Sequence, residues 1–323
     1  MKNILITGAD GFIGSNLFKK LFLKKNYFIV LIDIKDPDKL INININKNSK
    51  NFRYIKCNII KDDIFMLLNE YKFDYIYHLA SIVGVSKIIN PFAVTDIIIG
   101  GTRKIMDLAI KNKSKLLIAS TSEIFGKNPS VPWYEDSDRV YGSSKEQRWS
   151  YAISKSLTEH MSNYLNKEKI LNCVVVRYFN VYGPNQSLNF VVPKNIVSGI
   201  KKGILTINES GNQTRSFTYI DDAVEGTIKA IESEKSFGQI FNLSYPKETS
   251  IFELINIIEK NIGKKTKIIY KKTPGEKYHF DLIPRRTPDV SKAKELLNWE
   301  AKTNILKGIK KTIIWYNQNI EKF

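Results

Sequence analysis

The sequence predicts an α/β fold: a doubly wound parallel sheet joined to a smaller α+β unit. Apolar runs of strand length alternate with helical spacing through the first half of the chain, the pattern of a parallel sheet with crossover helices. The first of these runs ends in a glycine-rich turn that opens a helix. The length of 323 residues suits one large or two fused units with a substantial core.

Lys2–Thr7 reads as a buried strand, Gly8-Ala9-Asp10-Gly11-Phe12-Ile13-Gly14 as the turn, and residues 15–25 as a helix. Further strands are expected at 27–32, 52–57, 74–79, 115–120 and 173–178, and helices at 91–112 and 151–167. Leu40 to Asn46 alternates apolar residues with Asn and is read as a variable connection. After Tyr178 the pattern loosens. Residues 1–182 and 213–240 are assigned to a nucleotide-binding unit, and 183–212 with 241–323 to a smaller substrate unit. In the latter, Ser250 is placed to cap a helix, with Glu253 at the capping-box position. No internal repeat appears.

Strand, glycine turn and helix make the first half of a Rossmann-like βαβ unit. Gly8 permits the tight turn, Gly11 lets backbone approach a pyrophosphate, and Gly14 lets the helix pack closely on the strand. The helix N-terminus offers unpaired N–H groups and partial positive charge to phosphate, and Phe12 and Ile13 of the turn are assigned to the cofactor as well. The second strand ends in Asp33, 19 residues past Gly14, where a carboxylate binds an adenosine ribose. Asp33 argues for NAD over NADP, while Lys35 supplies a cation that a 2′-phosphate would favour.

Two later segments carry candidate chemistry: Ser120-Thr121-Ser122-Glu123 and Arg148-Trp149-Ser150-Tyr151-Ala152-Ile153-Ser154-Lys155. Tyr151 and Lys155, four apart, share one helix face. An ammonium beside a phenol lowers its pKa and suits it to proton transfer near neutrality. Taken alone, such a pair is more often a half-buried Tyr beside a solvated Lys; the glycine turn changes the odds.

The G-x-x-G-x-x-G turn and Y-x-x-x-K pair occur with His78-Leu79-Ala80-Ser81, Arg177-Tyr178-Phe179-Asn180-Val181-Tyr182-Gly183-Pro184 and Arg215-Ser216-Phe217-Thr218-Tyr219-Ile220-Asp221-Asp222. Together they make the chain resemble, nearly end to end, the extended short-chain dehydrogenase/reductase family of nucleotide-sugar epimerases, dehydratases and decarboxylases. It departs from many relatives at Ile98, where they carry Asn, and at Asn58, where an Asp contacts the adenine.

The resemblance implies NAD as cofactor and oxidation at sugar C4. Tyr151 would be the acid–base group, Lys155 the ribose ligand that depresses the Tyr pKa, and Thr121 the partner of the sugar hydroxyl. Leu79, Ala80 and Ser81 would line the cofactor, and Arg215 and Asn180 would hold the diphosphate. Thr-Ser-Glu at 121–123 is similar to UDP-glucuronate decarboxylases and to GDP-mannose dehydratases. The segment around Arg148, which is assigned with Arg286 to substrate binding, is similar to UDP-apiose/UDP-xylose synthases, although those carry Cys at the Ser122 position. Arg286, in Arg285-Arg286-Thr287-Pro288-Asp289, matches the active-site arginine of the decarboxylases, and a guanidinium suits a substrate carboxylate.

The resulting expectation is an NAD-dependent decarboxylase of UDP-glucuronate, with Ser122 and Glu123 assisting. A 4-epimerase or 4,6-dehydratase is the alternative, and a non-catalytic NAD-binding sensor or scaffold is a third reading. Blander roles stand beside these: Arg286 on the diphosphate alone, Arg148 as a surface residue paired with an acid, Asn180 as a turn residue, Asp221 and Asp222 as helix-start acids. His78 is read as a satisfied structural histidine. The nucleobase is not legible.

Composition narrows the rest. The formal charge of +18 comes from lysines spread among Ile and Asn, without a nucleic-acid-binding module, so no specific nucleic acid is expected. Cys57 and Cys173 read as buried thiols in a reducing compartment. No cluster suggests a metal, no run of about 18 apolar residues suggests a membrane span, and no N-terminal signal pattern precedes the turn. A cytoplasmic enzyme is expected. By resemblance, the 91–112 and 151–167 helices would pair across a homodimer; Ile97, Ile98, Met106 and Leu108 would serve equally as monomer core.

Overall fold

A computed structural model describes residues 1–40, 42–43, 49–84, 88–271 and 283–323. The connection at 40–46 lies largely outside the described residues.

All six expected strands form: β1 (Lys2–Thr7), β2 (Tyr27–Asp33), β3 (Phe52–Lys56), β4 (Tyr75–His78), β5 (Lys115–Thr121) and β6 (Cys173–Tyr178). A seventh, Ile240–Leu243, pairs with β6, so the sheet runs past residue 240. The order from one edge is Ile240–Leu243, β6, β5, β4, β1, β2, β3, and every pairing is parallel. Covering both faces requires apolar residues on both, which explains the unbroken runs in β1 and β6. Ile4, Leu5, Ile6, Val174, Val175 and Val176 are fully buried. Strand order reverses between β1 and β4, and such a switch point leaves a crevice at the carboxyl ends of the strands.

The first helix spans Phe12–Phe22, starting three residues earlier than expected. The 91–112 helix is interrupted: Pro91–Thr95 passes through a wider π-turn at Asp96–Gly100 into Gly101–Asn112. Gly101 lies so close to β3's continuation that a Cβ there would meet Ile59 at 2.6 Å. Ile98, Met106 and Leu108 are buried in the chain's own core. Trp149–Lys167 forms one long helix against β5 and β6.

Thr214–Ser216, assigned from the sequence to the nucleotide-binding unit, pairs instead with segments of the smaller one: antiparallel with Glu248–Ser250 and parallel with Arg285–Arg286. Ile204–Asn208 pairs with Lys267–Lys271 beside the helices Val191–Lys202, Ile251–Ile262 and Ile305–Gln318. Ser250 caps its helix by accepting the Glu253 N–H at 3.0 Å. Asp221 and Asp222 occupy the first turn of Ile220–Glu232, where acids favour the helix dipole. One hydrophobic cluster runs from Ile4 and Leu31 to Leu254, Ile309 and Tyr316, so the two units share a core.

Candidate active site

At the β1 carboxyl end, Gly8 adopts φ +67°, and a Cβ there would sit 2.8 Å from the Ala80 backbone. At Gly14 a Cβ would lie 2.3 Å from the Gly8 carbonyl oxygen. The turn therefore tolerates no side chain at either position. No side chain caps the Phe12–Phe22 helix at Gly11. Its first N–H groups keep the donor capacity that a pyrophosphate uses, and the residues present fit a dinucleotide.

Asp33 closes β2 and accepts the Asp10 N–H at 3.0 Å. Lys35, the residue compatible with a 2′-phosphate, pairs instead with the buried Asp10 carboxylate at 2.6 Å. Asp10 also accepts the N–H groups of Asn42 and Ile43, tying the turn to the segment after β2. Asn58 is committed to a local turn, accepting from Ile60 and Lys61. Leu79, Ala80 and Ser81 follow β4, and Ala80 N–H donates to Thr7 Oγ1 at 3.0 Å. His78 is buried between Thr7 (2.8 Å) and Thr102 (3.1 Å), the satisfied arrangement expected of it. Burial, helped by the Lys155 charge, pushes its pKa down to about 3.

Thr121 ends β5, and the chain turns through Ser122–Phe125, with Ser122 buried. Tyr151 packs with Ile88, Val94 and Ile98. Lys155, one turn further along the helix, is buried and donates to the Ala119 carbonyl at 2.7 Å. The expectation that Lys155 depresses the Tyr151 pKa is corrected here. Burial, then the nearby Glu123 charge, raises the phenol well above its ordinary value, and the Thr121 hydrogen bond offsets this only in part. The ammonium bears the complementary cost: burial lowers Lys155 to about 8, against the raising effect of Glu159.

Glu123 lies between two arginines. Arg148 Nη2 donates to one of its oxygens at 2.8 Å, and Arg286 Nη1 donates to the other. Burial pushes the Glu123 carboxyl up, but Arg286 and Arg148 outweigh it and hold it down to about 2. Arg286 arrives through its strand's pairing with Arg215 and through the Trp133 N–H bond to the Thr287 carbonyl at 2.8 Å. Its own Nε is buried with no partner among the described residues. The arrangement gathers two guanidinium groups on Glu123, two residues past Thr121, and the Glu123 charge acts on Tyr151.

Arg215 is also buried; its Nη1 donates to the Thr214 and Ile283 carbonyls at 2.7 and 3.1 Å. Asn180, at φ +35°, donates to the Ser216 carbonyl at 3.0 Å. Both therefore brace the substrate unit. Among the described residues no three His, Cys, Asp or Glu side chains converge as metal ligands, and no helix is long and apolar enough to cross a membrane.

The GDP-mannose 4,6 dehydratase family profile matches residues 5–312. The chain belongs to this family. Among curated relatives, a UDP-N-acetyl-alpha-D-glucosaminuronate decarboxylase of Bacillus cytotoxicus is 36% identical, covering 98% of each chain. A UDP-glucuronate 4-epimerase of Thermodesulfobacterium geofontis is 33% identical over 98% of this chain and 97% of its own. Among solved structures, the Thermotoga maritima UDP-glucose 4-epimerase with UDP-glucose superposes with a TM-score of 0.87 at 26% identity, covering 98% of this chain and 99% of that one. The Bacillus cereus UDP-glucuronic acid 4-epimerase, in complex with UDP-glucuronic acid and NAD, gives 0.83 at 30% identity with the same coverage. Membership in this family makes the chain a nucleotide-sugar-modifying enzyme of the dinucleotide-dependent kind.

Two structural residues of this family member escape the motif reading. Asp10 was absorbed into the glycine turn. Glu159 lies four residues past Lys155 on the same helix face, a spacing that would have marked it.

Proposed function

We propose that the protein binds NAD and a nucleotide-linked uronate, and decarboxylates the sugar after oxidation at C4. UDP-glucuronate is the substrate to test first. The observation that carries this reading is Arg286: buried, anchored by neighbouring backbone, paired with Glu123, and retaining an Nε without a partner among the described residues. A buried guanidinium with spare donors suits a carboxylate more than a neutral hydroxymethyl group. The Bacillus cytotoxicus relative, whose name specifies a uronate decarboxylase, supports the same class.

Bound NAD supplies the electron acceptor for oxidation at C4. Gly8, Gly11, Phe12, Ile13 and Gly14 would cradle its pyrophosphate, Asp33 its adenosine ribose, and Leu79, Ala80 and Ser81 its flank. Thr121 Oγ1 holds the C4 hydroxyl, and Tyr151 Oη takes its proton. Lys155 has three N–H donors and spends one on Ala119. The remaining donors would be available to the nicotinamide ribose when NAD is bound. Arg286, with Arg148 behind Glu123, holds the C6 carboxylate. Oxidation at C4 makes this group a β-keto acid; the C5–C6 bond breaks, carbon dioxide leaves, and the electron pair passes into an enolate that Tyr151 and Thr121 stabilise by hydrogen bonding until C5 takes up a proton and the 4-ketone re-forms. Arg215 and Asn180 brace the substrate unit against the diphosphate.

Incubation with UDP-glucuronate and NAD should release carbon dioxide, and the nucleotide-sugar product should lose the corresponding mass. Unchanged mass with altered C4 configuration would instead favour 4-epimerisation, the second reading supported by the Thermodesulfobacterium geofontis relative. Loss of water would indicate dehydration. UDP-N-acetylglucosaminuronate belongs in the same assay.

The active unit proposed is a homodimer. Met106, Ile110, Leu157, Met161 and Tyr164 line an apolar groove where the Gly101–Asn112 and Trp149–Lys167 helices meet the surface. A second copy of the same helix pair would cover it.

A further inference from the structure

Beneath Lys155 lies a buried ionic cluster that no catalytic role absorbs. Tyr151, Lys155 and Glu159 fall on one stripe of the helix at successive turns. Glu159 is 1% exposed, and each carboxylate oxygen accepts two hydrogen bonds. One takes Ser120 Oγ at 2.5 Å and Arg177 Nε at 3.0 Å; the other takes Arg177 Nη2 at 2.7 Å and Arg139 Nη2 at 2.9 Å.

The partners come from three different places. Ser120 lies on β5, between Ala119, whose carbonyl receives Lys155, and Thr121. Arg177 lies on β6 and is fully buried, with its remaining Nη1 donating to the Glu135 carbonyl at 2.7 Å. Arg139 reaches in from the loop before the helix and is partly exposed. A fork-to-fork contact of this kind is geometrically strict.

We propose that Glu159 is a positioning residue: it locks the Tyr151–Lys155 helix against the Ser120–Thr121 strand end and keeps Lys155 in its ammonium form. The inference rests on the reading of Lys155 as a ligand of the cofactor ribose.

The electrostatic part follows from counting charges near the ammonium. On its own helix it faces Glu159 and the neutral Tyr151. From β4 it faces His78, whose depressed pKa leaves it neutral. Beyond Glu159 stand the cations Arg177 and Arg139. Burial already lowers Lys155 to about 8. Glu159→Gln removes the one carboxylate and leaves two guanidinium charges uncompensated, so the ammonium becomes harder to maintain. Arg139→Gln removes a cation while the Glu159–Arg177 fork stays intact, so the ammonium becomes easier to maintain. The two variants thus have opposite signs, which a purely structural role does not produce.

The test is the pH dependence of NAD affinity by calorimetry on the full chain, with circular dichroism as the fold control. For the wild type, affinity should hold below about pH 8 and fall as pH rises through it. Glu159→Gln should move this break down by about one pH unit or more, a tenfold change in the protonation constant. Arg139→Gln should move it upward. Breaks that stay at the wild-type pH in both variants, or that move in the same direction, overturn the proposal. If Glu159→Gln does not fold, Arg139→Gln decides alone: an upward shift supports the proposal and no shift overturns it. A wild type that does not bind NAD defeats the proposed function instead, so the two failures are distinguishable.

Discussion

Arg286 and Glu123, 163 positions apart in sequence, meet as an ion pair at the centre of the candidate site. The strand Arg285–Arg286 is held in place by backbone bonds to Thr214–Ser216 and by the Trp133–Thr287 contact. The guanidinium is therefore positioned by main chain rather than by its charged partner. Carboxylate recognition in the proposed reaction depends on that anchoring.

Arg286→Ala should lower kcat/KM for UDP-glucuronate by about 30-fold or more, because truncating one partner of a buried charged pair costs about 2–5 kcal/mol. Arg286→Lys should recover only part of the loss, since an ammonium lacks the planar fork. Steady-state kinetics on the purified variants checks both.

Acid stability should report on Glu123. Its folded pKa of about 2 lies below the ordinary 4.5, so its ion pairs stabilise the fold fully above about pH 4.5. That contribution is lost as pH falls through about 2. Thermal melts of wild type and Glu123→Gln should differ at pH 6 and converge towards pH 2.

Tyr151→Phe should leave the melting temperature and NAD affinity near wild type while reducing turnover by about 10²–10⁴-fold. The hydroxyl lost is the proposed proton carrier, whereas the ring packing against Ile88, Val94 and Ile98 is retained. Equal turnover in the variant would remove Tyr151 from the mechanism.

Leu157 is 43% exposed in the single chain, on the groove face of its helix. Leu157→Glu would place a charge in a dimer interface, and light scattering should then report a monomer where the wild type gives a dimer. A wild type of monomer mass would sink the dimer proposal.

Local periodicity carried much of the fold. The strands 2–7 and 173–178 were legible because both faces of a parallel strand must be apolar, and their boundaries match those observed. The strand Ile240–Leu243 was not read from the sequence, and the unit boundary at 240/241 fell inside it, because only four residues mark it and its partner β6 lies more than 60 positions earlier. The π-turn at Asp96–Gly100 was missed for a related reason: its residues keep helical spacing, and the extra residue appears only when the helix is packed.

Within the site, the glycine turn, Asp33, Tyr151 and Lys155 were legible because each sits in a short segment whose geometry depends on neighbours in sequence. Tyr151's electrostatics were not. Lys155 lies one turn along the same helix, but burial and the Glu123 charge set the phenol's pKa once the helix docks on β5. By itself the sequence determined the sheet, the nucleotide turn and the Tyr–Lys helix face, all of which depend on local spacing. Only the tertiary structure decided that Arg148 and Arg286 converge on Glu123, that Asp10 neutralises Lys35, and that Glu159 binds Ser120, Arg177 and Arg139 beneath Lys155. Those pairings join distant segments, and their strength comes from the low dielectric created by folding.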